Sequence, residues 1–197
     1  MQTRKTTSEK VHILAECAIM VALATVLSWL KIWDSPYGGS ITVLSMTPII
    51  LLSLRRGIRV GLIGGFVHSL VQLLLGLNNV AYVPTPAGIV LCILLDYILP
   101  FTLLGLGGCF RNKNIWLSAI LGALLVTVIR YFCHILSGVV IWYELDLMWY
   151  ADDPTHLVNR YGQWAFSMIY NGIYMIPEII ATTLGTALLA KALNKIK

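Results

Sequence analysis

Charge is what this chain has least of. Lys, Arg, Asp and Glu make up 12% of its 197 residues, against 58% hydrophobic residues, and mean hydropathy is +0.80. Soluble domains carry about 25% charged residues. A water-soluble fold is therefore excluded, because several apolar runs of about 20 residues cannot all hide in so small a core. Signatures of reactive chemistry are scarce too. The four cysteines, Cys17, Cys92, Cys109 and Cys133, stand singly in apolar runs with no CxxC pair, and read as small hydrophobes. No Cys/His spacing suits a metal, no HExxH occurs, and no GxxxxGK[ST] offers a phosphate loop. No Ser or Cys nucleophile stands beside a recognisable base. Internal repeats, low-complexity tracts and a soluble fused domain are all missing. The first apolar run, from Val11 to about Lys31, has no small-residue cleavage site and reads as a retained helix.

What remains is apolar and organised. Six spans are expected: about Val11 to Leu30, Ile41 to Leu54 (short), Gly57 to Gly76, Ala87 to Phe110, Ile115 to Trp142, and Trp164 to Leu193. The basic residues set their orientation. With the N-terminus in the cytoplasm, the inner segments hold Arg4, Lys5, Lys10, Arg55, Arg56, Arg59, Arg111, Lys113, Lys191, Lys195 and Lys197, which is 11 of 14. Lys31 and Arg160 fall outside, and Arg130 within the fifth span. The outer loops carry Asp34, Glu144, Asp146, Asp152 and Asp153 instead. This split predicts an all-α integral membrane protein, a single domain over 1–197, with six helices and both termini cytoplasmic. It also disposes of nucleic acid as the reason for the net charge of +5; the partner of this surface is a lipid bilayer.

The fourth span organises the rest. In AGIVLCILLDYILPFTLLGLGGCF a carboxylate, Asp96, sits mid-membrane beside Tyr97. That placement costs roughly 2.5–3.5 kcal/mol on insertion scales, so a compensating charge is expected, either a cationic ligand or Arg130. At 1.5 Å per residue Asp96 lies about 15 Å below the outer face. His134 falls at a similar depth, Arg130 a turn deeper, and Asn171 about 10 Å down. Arg130, His134 and Trp142, spaced by four and eight, share a stripe of the fifth helix, with Ser137 and Gly138 leaving room between them. The sixth helix brings Phe166, Ser167, Tyr170, Asn171 and Tyr174, then Pro177 and Glu178, the latter a rival partner for Arg130. A carboxylate, aromatic faces and an amide suit a flat, cationic, hydrogen-bonding heterocycle. Trp33, Trp142 and other outer aromatics fit either a headgroup belt or a lid.

Four stretches carry a resemblance that covers nearly the whole chain: PYGGSITVLSMTPIILLSLRRG (Pro36 to Gly57), LLDYILPF (Leu94 to Phe101), RYFCHILSGVVIW (Arg130 to Trp142) and FSMIYNG (Phe166 to Gly172). The chain resembles the substrate-binding (S) components of energy-coupling-factor vitamin transporters, closest to the thiamine-specific group. The resemblance implies thiamine capture from outside, a transmembrane coupling subunit and two ATPases as partners, no cofactor, and residence in the bacterial plasma membrane. It assigns Asp96 to the thiazolium charge, with Tyr97 following the acid as in the family. It assigns His134, Trp142 and Asn171 to the pocket, and Arg130 to the hydroxyethyl or phosphate end. Trp33 and Tyr82 become lid candidates, and Phe166 stands where the family has Tyr. Ala18 and Ala22 on the first helix resemble the docking surface for the coupling subunit. Two alternatives stay open: an S component for another vitamin or a thiamine precursor, and an intramembrane enzyme using Asp96, His134 and Glu178 as acid–base groups.

Overall fold

The computed structural model describes residues 6–35 and 38–194. Arg4, Lys5, Lys195 and Lys197 of the basic set, and Pro36 and Tyr37 of the outer-loop motif, lie outside the described residues.

Helix α1 (Thr7–Trp29) opens with a reciprocal cap, in which Thr6 accepts from the Glu9 N–H and Glu9 accepts from the Thr6 N–H. A small antiparallel hairpin follows, β1 (Lys31–Asp34) against β2 (Ser40–Thr42). Helix α2 (Thr47–Arg56) has Pro48 in its first turn, where the missing N–H costs nothing. Then come α3 (Ile58–Leu75), α4 (Pro86–Gly108), α5 (Ile115–Trp149) and α6 (Gln163–Asn194). Two short turns, Leu77–Val80 and Leu157–Arg160, sit in the loops. In the second loop Asp153 accepts from the Thr155 hydroxyl (2.6 Å) and N–H (2.9 Å), and these bonds lower its pKa.

Among the described residues five helices, α1, α3, α4, α5 and α6, are long and apolar enough to cross a bilayer. The second expected span, Ile41 to Leu54, is not a full helix. It is strand β2, a break containing Leu44 at φ 56°, and the ten residues of α2. Ten residues rise about 15 Å, half a hydrocarbon core. The arrangement holds because α2 is enclosed: every residue from Thr47 to Ser53 is buried. Non-helical backbone at membrane depth is tolerated only where protein covers it.

Close contacts give the directions. Thr25 meets His68 and Ser28 meets Gln72, so α1 and α3 run parallel. Leu52 and Ser53 meet Gly64 and Gly61, so α2 runs back between them. Gly105 and Phe101 meet Gly61 and Gly65, Gly107 meets Gly122, and Gly138 meets Ser167. Helices α4, α5 and α6 therefore alternate, and α1 starts at the end of the bundle where α6 finishes. These seams are built from glycine. A Cβ on Gly122 would sit 2.0 Å from the Gly107 carbonyl oxygen, and one on Gly105 2.2 Å from the Leu62 nitrogen. Such close backbone approach is how apolar helices gain packing without a hydrophobic drive in lipid. At the same end, Glu16 of α1 clamps Arg55 (2.9 Å) and Arg56 (2.5 Å) of α2.

Both long helices at the centre are interrupted. Helix α4 is α-helical to Cys92, π-helical over Ile93–Ile98, α-helical over Leu99–Thr102 and 3-10 over Leu103–Gly108. Helix α5 turns π-helical over Gly138–Trp142 and then continues as an α-helix to Trp149, seven residues past the expected end. Such single-turn π segments concentrate at functional sites, and here one holds Asp96 and the other ends at Trp142.

Candidate binding site

A cavity of about 470 Å³ opens among α3, α4, α5, α6 and the hairpin. Small-molecule pockets span roughly 300–1,000 Å³. Asp96, Tyr97, Arg130, His134, Trp142, Phe166 and Asn171 all line it. Trp33 does not. It lies on β1, 40% exposed, and is not a lining residue, although Lys31, Asp34 and Ser35 are; the ladder shifts register between Lys31 and Trp33. Tyr82 packs edge-on against Trp149, 5.7 Å between centroids, and is not a lining residue either.

Asp96 is the hub. Its Oδ2 accepts from the Ser137 hydroxyl (2.6 Å) and from Trp142 Nε1 (3.0 Å), with the Cys92 thiol at 3.5 Å. Its Oδ1 lies 3.1 Å from His134 Nδ1. Arg130 Nε donates to His134 Nε2 at 3.2 Å. Guanidinium has donors only, so Nε2 must be the acceptor and the proton sits on Nδ1, pointing at Asp96. His134 is thus a neutral spacer between a cation and an anion. Asp96 and Arg130 form no ion pair with each other, which removes Arg130 as the direct partner of Asp96. The guanidinium stacks instead over Phe101, 4.5 Å from its ring centre.

Glu178 does not pair with Arg130 within 4 Å either. Its Oε1 accepts from the Thr42 N–H and from Thr42 Oγ1 (2.7 Å), fastening the hairpin to α6. Asn171 spends its amide on the protein: Nδ2 donates to the His134 carbonyl (3.2 Å) and the Ser167 carbonyl (2.9 Å), and Oδ1 accepts from Tyr174 (2.5 Å). It locks α5 to α6 beside the site. Phe166, 1% exposed, sits between Tyr143 and Tyr170. Tyr97 donates to the Gly76 carbonyl (3.0 Å), closing the top of α3 onto α4.

Several residues in or beside the site went unassigned on sequence grounds. Ser137 entered only as a small residue, yet it makes the shortest bond to Asp96; its place three after His134 was a legible signal. Ser28 and Gln72 line the cavity and bond each other at 2.9 Å, with Gln72 also reaching buried His68. Thr25, Ser28, His68 and Gln72 recur at helical spacing, and that polar stripe could have been read. Asp146 lines the outer part, and Tyr170 ties the loop down through Ser35 (2.6 Å) and the Gly38 carbonyl (3.3 Å).

A neutral histidine, a carboxylate and donors aimed at it make a binding geometry, and no group of His, Cys, Asp and Glu among the described residues could hold a metal ion. Comparison with known proteins decides the family. The sequence model of the thiamine transporter protein family matches residues 14–197. The chain belongs to that family. It is 33% identical over 189 residues to the thiamine transporter ThiT of Bacillus subtilis, covering 89% of this chain and 88% of that protein. It is 28% identical over 176 residues to ThiT of Lacticaseibacillus paracasei, covering 81% and 77%. The solved structure of ThiT from Listeria monocytogenes superposes with a TM-score of 0.71 at 26% identity, covering 95% of this chain and 97% of that one. Thiamine transporters are not enzymes, so the intramembrane acid–base reading of Asp96, His134 and Glu178 falls. Family membership and the five long apolar helices make this a multi-pass protein of the bacterial plasma membrane.

Proposed function

We propose that this chain is the substrate-binding component of an energy-coupling-factor importer and that it captures thiamine in the cavity around Asp96. The observation that carries the reading is charge balance in that cavity. Lys31 and Asp34 neutralise each other at 2.8 Å. Asp96, Asp146 and Arg130 are the remaining charges among the lining residues, leaving one net negative charge in the cavity. A monocationic ligand restores neutrality, and a buried charge without a partner is costly. The thiazolium of thiamine supplies one positive charge on a flat ring, and His134, Trp142, Phe166 and Tyr170 supply aromatic faces. The relatives' name, thiamine transporter, points the same way.

In this reading the chain crosses the membrane six times, with α2 and the hairpin together making the second crossing. Both termini lie in the cytoplasm, where the basic residues gather, and the cavity opens outward. Ala18 and Ala22, exposed on α1, give a close-packing face for a transmembrane coupling subunit, which two ATPases drive. Tryptophan fluorescence of the detergent-purified chain, titrated with thiamine, tests the substrate. Saturable quenching is expected, since Trp142 touches Asp96. Absence of any response in monodisperse, ligand-free protein would retire thiamine and turn the search to precursors and other cationic vitamins.

A further inference from the structure

Cations crowd the end of the bundle remote from the hairpin, where α2 turns into α3 and α4 leads into α5. Two of them are matched, since Arg55 and Arg56 share Glu16. Arg59, Arg111 and Lys113 are exposed and form no salt bridge among the described residues. The fold brings two of these to one corner. The Arg111 guanidinium reaches from the α4–α5 loop and lies on Gly57, two residues before Arg59; a Cβ there would stand 2.6 Å from its Nη1. Gly57 has φ 93°, a conformation open to glycine, so the turn and the seat of Arg111 both require it.

Arg59 also heads a stripe. Ile63, Phe66, Leu70 and Leu74 follow it on α3 at helical spacing, between 41% and 67% exposed. The opposite face of α3, with Gly61, Gly64 and Gly65, is the one packed on α2 and α4. From Ile63 to Leu74 the stripe rises about 16 Å, close to the depth of one leaflet. We infer that this corner binds an anionic phospholipid, with the phosphodiester between Arg59 and Arg111 and an acyl chain along the α3 stripe. The site does not depend on what the cavity holds. Guanidinium forks match phosphate oxygens. A zwitterionic headgroup brings its own ammonium to the cations, whereas a net negative one does not, and each basic residue near a lipid surface contributes about fivefold in affinity. A free phosphate would leave the apolar stripe unused.

The full-length chain, stripped of lipid in detergent, is titrated with phosphatidylglycerol and with phosphatidylcholine of identical acyl chains, and native mass spectrometry reads the dissociation constants. Wild type is expected to hold phosphatidylglycerol at least about tenfold more tightly. Arg59→Gln and Arg111→Gln each lower that preference about fivefold, with the fluorescence response to thiamine unchanged. Lys191→Gln removes the same charge from α6, where Lys191 lies over Trp116, and leaves the preference within about twofold. A wild-type chain that holds the two lipids alike would overturn the inference, and is the result expected if these cations instead seat an acidic protein face. Equal losses in all three variants would replace the site with a diffuse field. Displacement of phosphatidylglycerol by millimolar inorganic phosphate would assign the corner to a free anion and overturn the role of the stripe. If Arg111→Gln is not recovered monodisperse, Arg59→Gln against Lys191→Gln decides alone.

Discussion

Replacing Asp96 by Asn separates binding from folding. The carboxylate and a bound cation about 4 Å apart attract by about 4 kcal/mol at an effective dielectric of 20. The Asp96 side chain is 15% exposed, and the cation gives up hydration on entry, so the net loss is about 2–3 kcal/mol. That corresponds to a dissociation constant about 30- to 150-fold higher. Folding responds differently. The amide spares the bundle a buried charge worth roughly 2.5–3.5 kcal/mol. It also turns three charge-assisted bonds, from His134, Ser137 and Trp142, into neutral ones worth about 1 kcal/mol less each. The two effects nearly offset, and the unfolding temperature without ligand stays within a few degrees of wild type. Calorimetric titration with thiamine and a thermal melt of the same detergent-purified sample read both quantities. An unchanged dissociation constant would refute the charge argument. A variant that aggregates or melts far lower would make Asp96 a structural hub instead.

Trp142→Phe deletes the donor to Asp96 and Ser137, so thiamine affinity falls about tenfold and the quenching amplitude drops in the fluorescence titration. Tyr170→Phe releases Ser35 and Gly38; the ligand off-rate rises severalfold in stopped-flow while the on-rate holds. Gly138→Ala places a Cβ 2.1 Å from Ser167 Oγ, and overpacking this seam lowers stability by about 1–3 kcal/mol, read as a lower melting temperature in detergent. Ala22→Trp, on the proposed docking face of α1, leaves thiamine binding unchanged and abolishes co-purification with the proposed coupling subunit.

The long helices were legible because a bilayer demands unbroken apolar runs: α3 was expected from Gly57 to Gly76 and spans Ile58–Leu75. The hairpin and half-helix were not. Enclosure, not local pattern, lets the chain near Ile41 leave the helix, and hydropathy measures the local pattern alone. Asp96, Arg130, His134 and Trp142 stood out as polar or aromatic groups at membrane depth. Their pairing did not, because the π segments reset the angles between helix positions. In a plain α-helix His134 and Trp142 diverge by about 80° at 100° per residue; the wider turn over Gly138–Trp142 brings both onto one carboxylate. Asn171 illustrates the remaining gap: its amide capacity was readable, but its use, spent on the His134 carbonyl, depends on how α5 and α6 meet.

The short α2 carries a consequence for how the protein is made. Ten residues ending in Arg55 and Arg56 are too brief and too polar at one end to partition into lipid unaided. The segment is welcome in the membrane only once α3 and α4 stand beside it to accept Leu52, Ser53 and Ile50 into their glycine notches. Insertion of this chain is thus not a series of independent helices threading in turn. One segment waits on its neighbours, and the hairpin above it, with Thr42 bonded to Glu178 of the last helix, can close only after synthesis of α6 has passed that residue. The roof of the site is therefore the last part of the molecule to be finished.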